Sequence, residues 1–260
     1  DDIDLKISHI LRGEDHITNT AVQLAIFDAL GAKSPQFGHI NLLVARDGEG
    51  LSKRKGALSI RSLRQEGIAP MAIANLAVLI GSSANVVAYN TMEELAKNFE
   101  VTSASRSSAK FDKDELFRLN TCLLQQKSYT QIAESLKNCG IEGEKAEAFW
   151  ELIKGNITQL SEAKSWWQIV SDKELVFISF SQEEKDFLQR AAQFLPDSPF
   201  DHSSWSLWIE QIKKQTDRRG RALFLLLRKA LTGKESGPEL GGLLPLMGRD
   251  VVVKRLTAAL

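Results

Sequence analysis

Lys53 stands in the polar run Gly50-Leu51-Ser52-Lys53-Arg54-Lys55-Gly56, beside a small hydroxyl residue and between two glycines. A loop lysine in that setting can follow charge at close range as it develops on phosphates and a pyrophosphate departs. A solvated basic loop is the plain alternative, and the tetrapeptide alone does not choose between them. A second basic group lies far downstream, where Lys213, Lys214, Arg218, Arg219, Arg221, Arg228 and Lys229 face one Asp217 between Gln211 and Ala230. Its turn, Asp217-Arg218-Arg219-Gly220-Arg221, could pair with the phosphates of a nucleic acid, with solvated helix faces as the alternative. Aromatic side chains can stack on unpaired bases. Trp166 and Trp167 are adjacent and cannot share one helix face, so one can be buried and the other available. Trp205 and Trp208 keep helical spacing with Ile209 and Ile212 and read as core. His9, His16, His39 and His202 lack metal-ligand spacing and read as structural. Cys122 and Cys139 form no Cys-x-x-Cys, so neither a zinc site nor any other metal site is expected.

The elements that must hold these groups change in texture along the chain. Leu5 to Leu11 alternates for most of its length and predicts a strand that runs into a loop at Arg12-Gly13. Asn19 or Thr20 can cap a following helix, whose positions Val22, Ala25, Ile26, Ala29 and Leu30 keep helical spacing until Gly31. His39 to Val44 predicts a second strand, ended by the turn signal Asp47-Gly48 ahead of the Lys53 loop. Strand, helix, strand and basic loop is α/β organisation, in which ligands gather at the C-terminal ends of strands. After Gly56 the pattern turns helical. The apolar stretch Ile68 to Ile80 is too short to span a membrane and reads as a buried helix. Thr91 with Glu94, Ser128 with Gln131, and Ser181 with Glu184 have the capping-box form and mark three helix starts. Apolar faces follow at Leu95 and Phe99, at Ile132, Ala133 and Leu136, and at Phe187, Leu188, Ala191, Ala192 and Leu195. Leu223, Phe224, Leu227 and Leu231 repeat the spacing, so the second half reads as a helical bundle or cage.

Bulk properties bound the reading. The 260 residues can form one large domain or two modest ones. The hydrophobic share of 43% and charged share of 25% are those of an ordinary soluble protein. The zero formal net charge argues against a protein that simply coats nucleic acid, so the two basic islands matter more than the sum. The start, Asp1-Asp2-Ile3-Asp4, has no initiator Met and no signal-peptide pattern, which suggests a chain that begins mid-protein, in the cytoplasm.

An ordered series of blocks runs through the whole sequence. It comprises Arg12-Gly13-Glu14-Asp15-His16, Asn19-Thr20, Leu51-Ser52-Lys53-Arg54, Leu63-Arg64-Gln65-Glu66-Gly67, Ala109-Lys110-Phe111-Asp112, Ala230-Leu231-Thr232-Gly233 and Gly237-Pro238-Glu239-Leu240. The series resembles the bacterial glutamyl-tRNA synthetases, class I aminoacyl-tRNA synthetases in which an Arg-Gly-Glu-Asp-His block precedes a variant of the KMSKS signature. The resemblance implies a mainly α chain. Residues 1–60 would be the end of a Rossmann-type α/β catalytic domain, 61–125 a helical stem-contact region and 126–260 an all-helical anticodon-binding domain. Glutaminyl-type enzymes would carry β-barrels in the last part, and the helical patterns disfavour them.

The resemblance also assigns roles. Lys53 matches the second lysine of KMSKS and would contact ATP phosphates and stabilise the adenylation transition state, with Leu51, Ser52 and Arg54 shaping that ATP-binding loop. Arg12 matches an arginine that lines the glutamate pocket, where a guanidinium binds a carboxylate at two points. Glu14 and Asp15 could orient Arg12, lie near the tRNA 3′ end, or cap the next helix. Arg218, Arg219, Arg221 and Trp166 would contact tRNA. The implied partners are glutamate, ATP with Mg2+, and tRNA-Glu, with charging of tRNA-Gln left open; a monomer is expected.

Two departures stand out. Gly50-Leu51 replaces the signature's first lysine, and Leu226 stands where relatives often have Pro, which should straighten a helix. The His-x-Gly-His block of the class I nucleotide site does not occur in these residues, so this chain by itself is not expected to form adenylate. A non-catalytic helical tRNA-binding module remains the rival reading.

Overall fold

Strand β1, His9–Gly13, carries Arg12 near its C-terminal end. It leads through a 3-10 turn, Glu14–His16, into helix α1, Ile17–Ala29, and back to β2, Gln36–Ile40. β1 and β2 are parallel, with Arg12 opposite His39. The computed structural model describes residues 1–45, 48, 59–80, 87–103, 107–171 and 178–258, in two compact units, Asp1–Leu123 and Leu124–Leu260.

The first unit departs from the sequence pattern at its start. The strand begins at His9 instead of Leu5, because residues before it close a turn that satisfies their backbone locally. Leu5 and Ile7 donate to the carbonyls of Asp1 and Asp2, and Lys6 takes φ +55°. Asn19 and Thr20 lie inside the first turn of α1 instead of capping it; the cap position is His16, whose side chain caps no backbone N–H. Gly31, at φ +64°, ends the helix where the sequence predicts. Its predicted core face is open: Val22, Ile26 and Leu30 are 62%, 53% and 65% exposed, and only Thr20 and Phe27 are buried. On this side Asp1, Asp2 and Ile3 line an open hollow with Ile26 and Leu30 and leave those side chains largely exposed.

The predicted strand His39 to Val44 divides in two. β2 ends at Ile40, and β3, Leu43–Val44, pairs in parallel with β4, Ala109–Lys110. Between β3 and β4 lie α2, Ile60–Gln65, α3, Pro70–Leu79, and α4, Met92–Lys97. Pro70 starts α3 at a position where its missing N–H costs nothing. The buried Asn75 is satisfied by bonds to Met71 O, Tyr89 O and Tyr89 N–H, so α3 tolerates a polar core residue. Helix α5, Lys113–Gln126, lays Leu116, Leu119 and Leu123 against Leu63, Ile68, Ala72 and Leu76.

The second unit holds eight helices after α5 among the described residues: α6 Tyr129–Asn138, α7 Ala146–Ile153, α8 Leu160–Val170, α9 Gln182–Gln193, α10 Ser204–Gln215, α11 Gly220–Thr232, α12 Leu240–Met247 and α13 Arg249–Ala258. Both halves of the capping box form at Ser181 and Glu184. At Thr91 the hydroxyl caps Glu94 N–H, while the Glu94 carboxylate reaches back to Asn90. Asp201 binds the N–H and hydroxyl groups of Ser203 and Ser204 at the start of α10, which holds its carboxyl down to about 2. The apolar faces meet in one core that includes Leu136, Trp150, Phe187, Trp208, Leu227 and Leu243. Phe224, assigned by spacing to that core, is 37% exposed instead. With Leu226 in place of Pro, α11 runs unbroken, and the internal proline falls in α12 at Pro245. Arg255 is buried and donates to Leu231 O and Ile169 O, so its positive charge meets the carbonyl-rich ends of α11 and α8.

Candidate functional site

Arg12 reaches the C-terminal end of the parallel pair, the edge where α/β folds place ligands. Its Nη2 donates to Thr20 Oγ1 at 2.5 Å and to His16 O at 3.4 Å, and its guanidinium lies 5.2 Å from the centre of the Phe37 ring. Thr20 has one proton, given to His16 O at 3.1 Å. Its oxygen accepts from Arg12 and lies within hydrogen-bond distance of His39 Nε2, at 2.8 Å. Arg12 Nε is buried without a hydrogen-bond partner, a group that a carboxylate could satisfy. A Cβ added at Gly13 would fall 2.5 Å from Asp15 Oδ1 and 3.0 Å from Leu42 Cδ2, so both side chains would have to shift. Glu14 Oε1 accepts from Leu42 N–H at 3.4 Å, tying the turn to the strand β3 side, so neither acidic residue supplies the side-chain cap of α1. Leu51, Ser52, Lys53 and Arg54 lie outside the described residues.

In the second unit the arginines expected to meet RNA have three different fates. Arg218 lies 5.2 Å over the Phe187 ring and pairs with Glu183 at 2.8 Å. Arg219 donates to the carbonyls of Thr216, Lys213 and Arg218, which closes the C-terminus of α10; its guanidinium is structural. Arg221 is exposed at the start of α11. Trp166 corrects the sequence reading: it is only 5% exposed, packed on Gly237 with Lys234 over its ring, and offers no stacking face. Its neighbour Trp167 is half-buried, edge-on to Phe149. Trp208 is buried as expected and donates to Ala191 O.

Sequence reasoning missed several partners. Thr20, Phe37 and His39 around Arg12 come from two elements, brought together by the turn into α1 and by the strand register. Arg190 and Lys214 share a cleft with Arg218. The spacing Glu183, Phe187, Arg190 marks one face of α9 and could have pointed to that cleft. Arg228 is half-buried, which lowers its pKa, and donates to Pro238 O.

Comparison with known families accounts for almost the whole length. The catalytic domain of class I tRNA synthetases (E and Q) matches residues 1–118, and the anticodon binding domain matches 125–260. The chain belongs to the anticodon binding domain family, whose match takes in just over half of it. Its curated relatives include glutamate–tRNA ligase 1 of Chelativorans sp., 54% identical over 98% of this chain, and glutamate–tRNA ligase 2 of Mesorhizobium japonicum, 49% identical over 98%. The chain spans 56% of the length of each. In fold it is similar to the glutamate-tRNA synthetase of Elizabethkingia anophelis, with TM-score 0.80 and 22% identity over 99% of this chain and 57% of that one. A glutamate tRNA ligase of Elizabethkingia meningosepticum, solved with its amino acid, gives TM-score 0.82 at 22% identity over 99% and 58%. The mainly helical synthetase fold expected from the sequence, a partial catalytic domain followed by an anticodon-binding domain, is therefore the observed one.

Proposed function

We propose that these residues are the C-terminal portion of a glutamate–tRNA ligase. The observation that carries this reading is the tandem of catalytic and anticodon-binding matches in a chain 54% identical to a curated ligase of that name. In the reaction, a carboxylate oxygen of glutamate attacks the α-phosphorus of ATP. The bond to the bridging oxygen breaks, pyrophosphate leaves and glutamyl-adenylate forms. A 3′-terminal ribose hydroxyl of tRNA-Glu then attacks the acyl carbon and AMP leaves. Arg12 would hold a carboxylate of the amino acid, its free Nε joining the Nη edge already oriented by Thr20. Lys53 would stabilise charge on the departing pyrophosphate, with Leu51, Ser52 and Arg54 shaping its loop. Mg2+ would accompany ATP; among the described residues no three His, Cys, Asp or Glu side chains converge to hold a metal.

Residues 1–60 would close the catalytic domain, 61–125 contact the acceptor stem and 126–260 bind the anticodon arm, a last boundary supported by the division at Leu123 and Leu124. The exposed side of α1 would receive further catalytic-domain residues of the kind the longer relatives possess. Arg218 and Arg221 would serve tRNA, and tRNA-Gln is a second candidate substrate. The protein would act as a cytoplasmic monomer; no described helix is long and apolar enough to cross a membrane.

ATP–pyrophosphate exchange separates this reading from a non-catalytic tRNA-binding module. With tRNA supplied, the full-length protein is expected to exchange label only when glutamate is also present. The 260-residue chain alone is expected to show no exchange, and absence of exchange in both would favour the module.

A further inference from the structure

A cleft of about 320 Å3 opens in the second unit between α9 and the turn joining α10 to α11. Four cations line it, Arg190, Lys214, Arg218 and Arg219, against two carboxylates, Glu183 and Asp217. Two of the cations are built into its walls. Arg219 is spent on the backbone carbonyls at the end of α10, which masks the negative pole that would otherwise repel an anion. The Arg218 guanidinium is fixed over the buried Phe187 ring, so it meets a ligand with little ordering cost. Its carboxylate partner among the described residues is Glu183, whose side chain is 84% exposed. Such a pair contributes little and is easily exchanged for a better acceptor.

We infer that this cleft binds a phosphate of an RNA backbone, with Glu183 occupying Arg218 until the RNA arrives. Arg190 and Lys214 are exposed, and their other contacts are weak ones: a 3.4 Å bond to Asp186 O and a solvent-facing pair with Glu210. Both can turn to a tetrahedral anion presented beside Arg218, which binds phosphate oxygens through its fork. The proposal rests on the reading that this unit binds tRNA, and it adds Arg190 and Lys214 as contacts and Glu183 as an internal competitor. Glu183 is separate from the capping box of α9, which uses Ser181 and Glu184, so Glu183→Gln leaves that box intact.

The test is fluorescence anisotropy of the 260-residue chain with a labelled tRNA-Glu transcript over a range of salt. Glu183→Gln is expected to tighten binding by up to about fivefold at low salt. The double variant Arg190→Ala, Lys214→Ala is expected to weaken it about tenfold and to lower the logarithmic salt slope by about 0.7 to 0.9, the loss of one phosphate contact. Wild-type binding with all variants unchanged would overturn the cleft proposal and leave tRNA binding by the unit standing. No binding by the wild-type chain would overturn both. Titration with inorganic phosphate, followed on the Arg218 Nε–H resonance, identifies the source: a shift with phosphate and none with tRNA would show a free-phosphate site and refute the RNA assignment.

Discussion

Lys53→Ala in the full-length protein is expected to slow glutamate-dependent ATP–pyrophosphate exchange about a hundred- to a thousand-fold, with tRNA affinity nearly unchanged. The magnitude is that of removing one fixed donor from a site where charge develops in the transition state. The ammonium would act on negative charge that grows as the α-phosphorus bond to pyrophosphate lengthens. The loss should therefore fall on kcat more than on the KM for ATP. Arginine at this position keeps the charge but changes its shape and reach, so Lys53→Arg should restore only part of the rate. An exchange rate equal to wild type in Lys53→Ala would remove Lys53 from the mechanism.

Gly237→Ala is expected to destabilise the second unit by about 2 to 6 kcal/mol in denaturant unfolding. Two costs add. Gly237 has φ +143°, a conformation that L side chains rarely adopt, and forcing one there costs about 1 to 3 kcal/mol. Its added Cβ would also fall 2.3 Å from the Trp166 ring, and overpacking of this kind costs a further 1 to 3 kcal/mol or so. Trp166 cannot retreat easily, because it is buried in the core under Lys234. A double-mutant cycle isolates the contact. Trp166→Ala alone should cost about 3 to 5 kcal/mol, and Gly237→Ala should cost about 1 to 2 kcal/mol less in that background than in wild type. Equal costs in the two backgrounds would show that the close approach is not the reason glycine stands there.

That contact also shows what the sequence could and could not reveal. Helices with a buried stripe were legible because their apolar spacing reports the face that a core will cover: Leu136, Phe187, Trp208 and Leu227 are all buried. The end of α1 at Gly31 and the start of α9 at Ser181 were legible because terminal hydrogen bonds depend on local residue types. Spacing fails where cover is missing. Val22, Ile26 and Leu30 have the pattern of a core face and are open, and Phe224 fits the stripe of α11 yet faces outward. The adjacent tryptophans posed a choice that the sequence left open, and the burial of Trp166 decides it against the residue chosen for RNA. Strand limits were poorly legible for a different reason. Leu5 to Ile7 alternates like a strand, but its backbone finds partners in a local turn. The surroundings of Arg12 were hidden because Thr20 and His39 lie on other elements, one brought beside it by the turn into α1 and the other by the parallel register of β2. Arg218 and Arg219 are identical neighbours in sequence, and the fold pairs one with a carboxylate and ties the other to backbone carbonyls.

The central claim, that these residues belong to an enzyme that joins glutamate to tRNA, is tested most directly by aminoacylation with the full-length protein. Labelled glutamate and ATP are supplied with tRNA-Glu and tRNA-Gln in separate reactions, and acid-precipitable label is counted. The account predicts ATP-dependent glutamyl-tRNA on tRNA-Glu. No glutamate on either tRNA, with ATP and both tRNAs intact, would contradict it.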